Sequence, residues 1–364
     1  MKRLFISLIT ILLISNGIHA QDKPLRLGVA GLVHGHLGNV SGRLDRGDFE
    51  VVGIAEDNDE YRNSNELTGK VPADRFFKDL DEMLDKTRPE VVVCYGTTYD
   101  HLAVVRACAP RHIHVMVEKP LAASYRHAKE MEKLAKRYGI MVLTNYETSW
   151  YASNTYVKNI IDEGKLGKIF RINVYDGHQG PYEIGCSKRF TDWLCENPVL
   201  NGGGGSALDF GCYGANLATW IFGNKRPERV YATFRTNKPE RYPVNDDDAT
   251  IILEYDNATV QIMASWCWPF NRKDMYVYGL DGAAYQLKPD QVELRSGKTV
   301  TNVTAPELEA PMNDSFYYLK AAVRGDIKVL PEDLASLENN VIVNEILEAA
   351  VKSAKTGKPV RLKK

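Results

Sequence analysis

The sequence lacks the features that mark nucleic-acid-binding and membrane-spanning proteins. Its 46 basic and 47 acidic residues nearly balance, which excludes a basic surface for nucleic acid. The apolar segment at 4–14 is too short to span a bilayer. Internal repeats and low-complexity tracts are absent. The composition therefore indicates a globular chain whose length allows two domains with cores of their own.

Cysteines are few and scattered, and no Cys/His spacing typical of a zinc site occurs, so no metal site is predicted. Cys94 and Cys108 fall in a strand-like and a helix-like run, where burial as small apolar groups is expected. Cys186 and Cys195 are the one close pair, which makes them a disulfide candidate in an oxidising compartment.

The first 20 residues have the pattern of a secretory signal peptide. Lys2 and Arg3 precede the apolar segment, and small or polar residues follow at 15–20. We therefore predict cleavage after residue 20 and export, in a bacterium to the periplasm.

From Leu25 to about Asn145, short β-branched runs alternate with segments of helical periodicity. Such alternation predicts right-handed βαβ units on a parallel sheet, whose ligand lies at the carboxyl ends of the strands. Ser124 and Gly139 would begin and end the helix before the last strand. The predicted strands are 25–30, 50–55, 90–95, 113–117 and 140–143.

Beyond Tyr146, strands follow one another without intervening helices, and Asp256-Asn257 forms a tight turn between two of them. This pattern predicts an α+β domain with a largely antiparallel open sheet and a final helix from about Pro331 to Lys355. The predicted strands are 170–175, 229–235, 249–255, 258–265 and 275–278.

The loop after the first strand stands where a dinucleotide-binding fold has Gly-x-Gly-x-x-Gly. Only Gly31 is in register, because Val33 and His36 replace the other two glycines. We expect phosphates to lie over the amides of His34, Gly35 and His36 at a helix N-terminus, with either imidazole able to donate to them. Glu56, at the end of the second strand, could bind a ribose diol and repel a 2′-phosphate, or could be a solvated loop acid.

Glu118, Lys119 and Pro120 directly follow a predicted buried strand. Burying the two charges unpaired would cost several kcal/mol. The order of elements here resembles that of the Gfo/Idh/MocA oxidoreductases: the segment Tyr95 to His101 is followed by a helix, a strand and then Glu-Lys-Pro. The resemblance extends over nearly the whole chain after residue 20.

This resemblance implies an α/β protein with a Rossmann-type parallel-sheet domain at 21–147 and an α+β substrate-binding and oligomerisation domain at 148–364. It implies NAD as the cofactor, a cis Lys119–Pro120 bond, and a lysine that reaches both nicotinamide ribose and substrate hydroxyl. The two charges should then face a cleft rather than be buried. The expected cofactor-binding residues are Gly31, Val33, His34, Gly35, His36, Glu56, Thr97, His101, Glu118 and Lys119.

A glycine-rich run at 201–205 precedes Asp209 and Tyr213, which resembles the family's Asp-x-Gly-x-His motif with tyrosine in the histidine position. The resemblance implies that Lys119, Asp209 and Tyr213 are catalytic. Asp209 and Tyr213 are four residues apart and would share one helix face. A nearby ammonium would lower the pKa of the Tyr213 phenol, so that it could accept a hydroxyl proton. Asn216 replaces an aspartate that is common in the family. The alternative to a catalytic role for Tyr213 is a purely structural one, with its side chain packed inside a core helix.

The candidate substrate-binding residues flank the strand and loops that are expected to line the cleft. They are His178, Lys188, Arg189 and Trp268. The predicted function is oxidation of a sugar or glycoside hydroxyl by a homo-oligomer that retains or recycles its NAD outside the cytoplasm. An aldose–aldose oxidoreductase is a variant of it. The alternatives are an NAD-dependent glycoside hydrolase acting by oxidation and elimination, and a non-catalytic carbohydrate-binding protein.

Overall fold

The computed structural model describes residues 23–362. The predicted signal peptide at 1–20 lies outside the described residues. Within the described part of the chain, each helix is too short or too polar to cross a bilayer.

The first sheet is parallel throughout, as predicted. Its strands are β1 Leu25–Ala30, β2 Phe49–Ala55, β3 Phe76–Phe77, β4 Val91–Cys94, β5 His114–Glu118 and β6 Val142–Asn145. Their order, β3-β2-β1-β4-β5-β6, is that of a Rossmann fold, in which ligands bind where the strand order reverses, beside β1 and β4.

The second sheet is antiparallel except where β7 pairs with β10. Its strands are β7 Ile169–Gly177, β8 Arg229–Arg235, β9 Asp248–Glu254, β10 Thr259–Ser265, β11 Arg272–Gly279, β12 Ala283–Lys288, β13 Gln291–Ser296, β14 Thr299–Thr304 and β15 Val360–Arg361. Their order is β14-β13-β12-β11-β7-β10-β9-β8-β15. The predicted turn at Asp256-Asn257 joins β9 to β10. The last four strands were not predicted, and β14 is almost wholly exposed, so it lacks apolar alternation.

The helices lie on both faces of the first sheet and on one face of the second. They are α1 Gly38–Ser41, α2 Asp59–Asn63, α3 Leu80–Thr87, α4 His101–Cys108, α5 Tyr125–Tyr138, α6 Ala152–Asp162, α7 Lys188–Leu194, α8 Ser206–Asp209, α9 Gly211–Ile221, α10 Ser315–Arg324 and α11 Leu337–Thr356. Ser124 caps α5 and Gly139 ends it, as predicted. The last helix begins later than predicted, because the Ser336 side chain caps it by accepting a hydrogen bond from the Asn339 amide.

After β14 the chain returns to the first sheet before adding β15 to the second. In α10, Phe316 packs against Phe49 of β2, with ring centroids 4.9 Å apart. In α11, Val341 joins the core of the first sheet and Ile346 joins that of the second. The predicted boundary between 147 and 148 stays a prediction, and α11 ties the two sheets together across it.

All six cysteines are unbridged. Cys94 and Cys108 are buried as expected for apolar packing, and the disulfide suggested for Cys186 and Cys195 is not formed.

Candidate active site

A cavity of about 470 Å³ lies at the carboxyl ends of β1, β2 and β4. It is lined on one side by Gly31 and Val33 of the loop after β1, and on the other by Glu56 and Thr97. The amide and hydroxyl of Thr97 donate to Asp100 at 2.8 and 2.7 Å, which orders the loop after β4. This is the position at which a Rossmann sheet binds the adenosine half of a dinucleotide.

Glu56 is not a solvated loop acid. Its Oε2 accepts a hydrogen bond from the Leu32 amide at 2.8 Å, and its Oε1 accepts one from the Asn58 amide at 3.0 Å. Burial raises the pKa of the Glu56 carboxyl, while these two amides act to lower it. Glu56 therefore links the loop after β1 to the end of β2, and it also lines the cavity.

Gly31 cannot be replaced without distortion, because its φ is +80° and a Cβ atom there would lie 2.5 Å from the backbone of Gly96. We predict that Gly31→Ala lowers the free energy of unfolding by about 1–2 kcal/mol for the left-handed backbone and by about 1–3 kcal/mol more for overpacking. Gly47→Ala is the matched control, because Gly47 has φ +74° with open space around it. Urea unfolding of both variants measures the difference, and equal losses would contradict the proposed collision with Gly96.

The imidazoles of His34 and His36 do not point at a phosphate site. His34 Nδ1 accepts a hydrogen bond from the His36 amide at 3.1 Å, and its ring packs on that of Phe190 with centroids 5.0 Å apart. His36 Nδ1 is 2.8 Å from Glu118 Oε2. The predicted helix is also only a 3₁₀ turn at Gly35–Leu37 followed by the four residues of α1. The Nδ1 atoms of both imidazoles are therefore engaged within the protein, and Gly35 is exposed. The expectation that either imidazole donates to a phosphate stays a prediction.

Glu118 is buried, with only 2% of its surface exposed, and is charged because it has partners. Asn145 Nδ2 donates to its Oε1 at 2.9 Å, opposite the contact with His36. Burial opposes ionisation, yet His36 and Asn145 together lower the pKa of Glu118 to about 2. The expectation that the Glu118 charge lies open to the cleft is wrong. The carboxylate is buried, and His36 and Asn145 are its partners.

Lys119 is also buried, at 8% exposure, and pairs with Asp209. Its Nζ donates to a carboxylate oxygen of Asp209 and, at 3.0 Å, to the Asp209 backbone carbonyl. Trp266 Nε1 donates to the other carboxylate oxygen at 2.9 Å. Burial opposes the charge, but Asp209 raises the pKa of Lys119 and Lys119 lowers that of Asp209. The Lys119–Pro120 bond is cis, as predicted.

Two ammonium groups lie near the ring of Tyr213. Lys119 Nζ is 5.3 Å from the centroid of its ring and Lys273 Nζ is 5.0 Å from it, both within reach of a cation–π interaction. Burial raises the pKa of the Tyr213 phenol well above its usual range. The prediction of a lowered pKa is wrong here, because Lys119 gives its hydrogen bonds to Asp209 and meets only the ring of Tyr213.

Asp209 and Tyr213 do not share one helix. Asp209 ends α8, Tyr213 lies in α9, and Phe210 between them departs from helical geometry with φ −110°. The break lets both side chains approach Lys119 from different directions.

A second cavity, of about 360 Å³, lies at the carboxyl end of β7. Glu147, Lys273 and His178 line it, together with the ring of Phe210. Lys273 pairs with Glu147, and His178 packs edge-on against Phe210 with ring centroids 4.9 Å apart. Burial lowers the pKa of His178, which favours a neutral imidazole.

Asp176 lies opposite Lys273 in the pairing of β7 with β11. Burial raises the pKa of its carboxyl well above the usual range, and within residues 23–362 its Oδ2 has no hydrogen-bond partner. Burial therefore disfavours the charged form of the carboxyl group that pairs in register with Lys273.

Of the predicted site residues, Gly31, Val33, Glu56, Thr97 and His178 line these two cavities. Four of the others make contacts elsewhere. His101 is buried beneath the sheet edge, where Nδ1 is 3.1 Å from the Leu121 carbonyl oxygen. Lys188 is exposed and pairs with Asp192. Arg189 donates to the Ser64 carbonyl at 2.8 Å. Trp268 supports Arg272, whose Cζ is 5.1 Å from its ring centroid.

Asn216, which replaces the family's aspartate, is fully buried and donates to the Leu334 carbonyl at 2.8 Å. It therefore fixes the segment before α11 rather than acting in a proton relay. The helix α7 contributes aromatic groups to the site instead of its predicted cations, because Phe190 and Trp193 cover His34 and Lys119.

Sequence reasoning missed Asn145, Glu147, Asp176 and Lys273. Asn145 and Glu147 follow the carboxyl end of a parallel strand, so the rule that located Glu118 could have found them. Asp176 and Lys273 are brought together by antiparallel register, for which the sequence carries no local signal.

Two family models match most of this chain. Residues 25–146 match the oxidoreductase family with an NAD-binding Rossmann fold, and residues 155–285 match the GFO/IDH/MocA C-terminal domain. The first region is thus an NAD-binding Rossmann domain, as predicted.

Among similar proteins, trans-1,2-dihydrobenzene-1,2-diol dehydrogenase from Bos taurus is 25% identical over 235 residues, covering 64% of each chain and so less than two thirds of that protein's length. An inositol dehydrogenase homologue from Azotobacter vinelandii, crystallised with NAD+, has a TM-score of 0.79 at 19% identity over 93% of this chain and 98% of that one. An aldose–aldose oxidoreductase from Caulobacter crescentus, crystallised with glycerol, has a TM-score of 0.78 at 19% identity over 93% and 100% of the two chains. At these identities the two structures show the shared fold.

Proposed function

Because this chain belongs to the Gfo/Idh/MocA family of oxidoreductases, we propose that it is an NAD-dependent dehydrogenase acting on a hydroxyl group of a sugar or glycoside. The observation that carries this proposal is the buried Lys119–Asp209 pair with the Tyr213 ring beside it. Buried, strongly perturbed charge pairs of this kind cluster at functional sites.

The residues present fit NAD. The cavity at the ends of β1 and β2 presents a buried carboxylate, Glu56, and a loop whose Gly31 packs directly on backbone. When bound, NAD+ accepts a hydride from the substrate carbon.

In the proposed reaction, the proton of the substrate hydroxyl passes to the phenolate oxygen of Tyr213, and the hydroxyl becomes a carbonyl. Lys119 stabilises the negative charge that develops on the substrate oxygen, since Asp209 keeps its ammonium protonated. Lys273 Nζ, 5.0 Å from the centroid of the Tyr213 ring, is a second positive charge near the phenol.

The lining of the cavity at the end of β7 is an argument for a polyhydroxylated substrate. Glu147, His178 and Lys273 offer hydrogen-bond donors and acceptors, while the Phe210 ring offers an apolar face for ring carbons. An inositol dehydrogenase homologue and an aldose–aldose oxidoreductase share this fold, which supports the same substrate class.

Incubation of the full chain with NAD+ and a panel of sugars and glycosides tests the proposal. We expect one mole of keto product for each mole of NADH formed, followed by absorbance and product mass. Cleavage of a glycoside without net NADH would favour the oxidation–elimination hydrolase. Transfer of reducing equivalents to a second sugar would indicate an aldose–aldose oxidoreductase.

We predict that Glu56 makes the protein bind NAD+ at least about tenfold more tightly than NADP+, or about 1.4 kcal/mol. The 2′-phosphate would meet the Glu56 carboxylate, which accepts hydrogen bonds from two backbone amides. This carboxylate cannot turn away from the phosphate without releasing the loop after β1. Calorimetric titration of the two cofactors checks this, and equal affinities would mean that Glu56 serves the loop alone.

Export with a cleaved signal peptide and assembly as a homo-oligomer remain part of this proposal. The mass of the mature chain and light scattering of the purified protein test them.

A further inference from the structure

Two histidines of the loop after β1 meet a glutamate from the end of β5. One nitrogen of His34, one of His36 and one carboxylate oxygen of Glu118 all lie within 4.8 Å of one another. We propose that these three side chains bind a divalent transition-metal ion such as Zn²⁺ or Fe²⁺. No sequence spacing predicted the site, because Glu118 lies 82 residues from His36.

Two imidazoles and one carboxylate form a ligand set that suits both of these ions. Ligand atoms at about 2.0–2.2 Å from one ion lie about 3–3.5 Å from each other. His36 Nδ1 and Glu118 Oε2, 2.8 Å apart, are already near that spacing. An ion would replace the proton that they share.

His34 completes the set through one of its ring nitrogens. Its Nδ1 now accepts the His36 amide, and coordination would exchange that one hydrogen bond for a metal bond. The exchange is local, because the loop backbone is held separately by the amides of Val33 and His34, which donate to the Tyr95 carbonyl at 3.0 and 2.9 Å.

Outer groups already orient the carboxylate. Asn145 Nδ2 donates to Glu118 Oε1 at 2.9 Å, and Trp150 Nε1 donates to Asn145 Oδ1 at 3.2 Å. These two hydrogen bonds leave Glu118 Oε2 facing His36. Hydrogen bonds of this kind to a ligating carboxylate are usual around protein metal sites.

The site also has a route for the ion and open coordination positions. The His36 side chain is 38% exposed and borders a cavity of about 490 Å³ together with Asn145, Glu147 and Trp150. Three protein ligands leave at least one position on this side for water or another small ligand, as in metal sites that are not purely structural.

Neighbouring charges do not oppose binding strongly. Lys119 is the nearest ammonium along the chain, and Asp209 already neutralises it. The cavity at the ends of β1, β2 and β4 is lined by Gly31, Val33 and Glu56 and by neither imidazole. Metal binding therefore goes beyond the proposed hydride transfer and does not depend on it.

Calorimetric titration of the chelator-treated full chain with Zn²⁺ alone tests the proposal. We expect one ion per chain and a loss of affinity of at least about 100-fold in His36→Asn and Glu118→Gln. We expect a loss of about 10- to 100-fold in Asn145→Leu, which removes the hydrogen bond to Glu118 Oε1 and the acceptor of Trp150 Nε1. His112→Asn is the matched control, because His112 is an exposed histidine with φ 57°, a conformation that asparagine tolerates, and its variant should bind like the parent.

Equal Zn²⁺ affinity in the parent, His36→Asn and Glu118→Gln would overturn the proposal. Since a Glu118 variant could misfold, crystals of the parent soaked in Zn²⁺ provide a second measurement. An anomalous peak among the three side chains supports the site, and its absence there overturns it. Both readouts are made without substrate, so a failure of the dehydrogenase assay would be a separate result.

Discussion

Replacing Tyr213 by phenylalanine should lower kcat about 100- to 10,000-fold, the usual cost of losing a general base. The change removes one oxygen and keeps the ring that lies near the ammonium groups of Lys119 and Lys273. The free energy of unfolding and the affinity for NAD+ should therefore be nearly unchanged. Steady-state kinetics on a substrate that the parent oxidises, with urea unfolding alongside, measures both quantities.

Tyr146→Phe is the matched control. Tyr146 is buried, and its ring meets that of Tyr213 edge-on at 5.3 Å, so its variant removes a neighbouring hydroxyl without touching the proposed base. It should keep the parent's rate. A loss in Tyr213→Phe confined to KM would instead assign Tyr213 to binding that is uniform between ground and transition states.

The raised pKa of Tyr213 gives this assignment a pH signature. The phenolate is the minor form below its pKa, so the oxidation rate should rise as pH increases toward that value, and Tyr213→Phe should lose this rise. A rate that is flat with pH in the parent would contradict a phenolate base.

The cofactor half of the site could be predicted from the sequence because parallel strands deliver their carboxyl ends to one edge. Glu56 and Lys119 each directly follow an apolar run, so strand prediction alone places them at that edge. Their partners could not be predicted in the same way. Asp209 lies 90 residues beyond Lys119, and only the fold brings the end of α8 to the residue after β5, which converts two costly charges into a buried pair.

The substrate half was less predictable, since antiparallel register and helix breaks decide it. A one-residue difference in the pairing of β11 with β7 would turn Lys273 to the other face of the sheet. The cations of α7 illustrate the same limit: Lys188 and Arg189 lie on the outer side of a helix whose aromatic residues face the site. Helical spacing alone does not say which side faces inward.

Replacing Lys119 by methionine should cost about 3–5 kcal/mol of unfolding free energy, because it leaves the Asp209 carboxylate buried with Trp266 as its remaining side-chain partner. It should also abolish turnover and weaken NAD+ binding. Lys86→Met is the control for loss of an ordinary ion pair, since Lys86 and Glu82 are both exposed on α3 and their pair contributes at most about 0.5 kcal/mol.

The double variant Lys119→Met/Asp209→Asn separates stability from catalysis. Asparagine keeps an oxygen to accept the Trp266 hydrogen bond but carries no charge, so the buried charge left by Lys119→Met disappears and most of the lost stability should return. Turnover should not return, because the ammonium that stabilises the substrate oxygen is still missing. Urea unfolding and single-turnover kinetics of the two variants measure these effects in parallel. If the double variant regained both stability and turnover, the pair would be a structural element of the core, and the assignment of Lys119 to the reaction would be wrong.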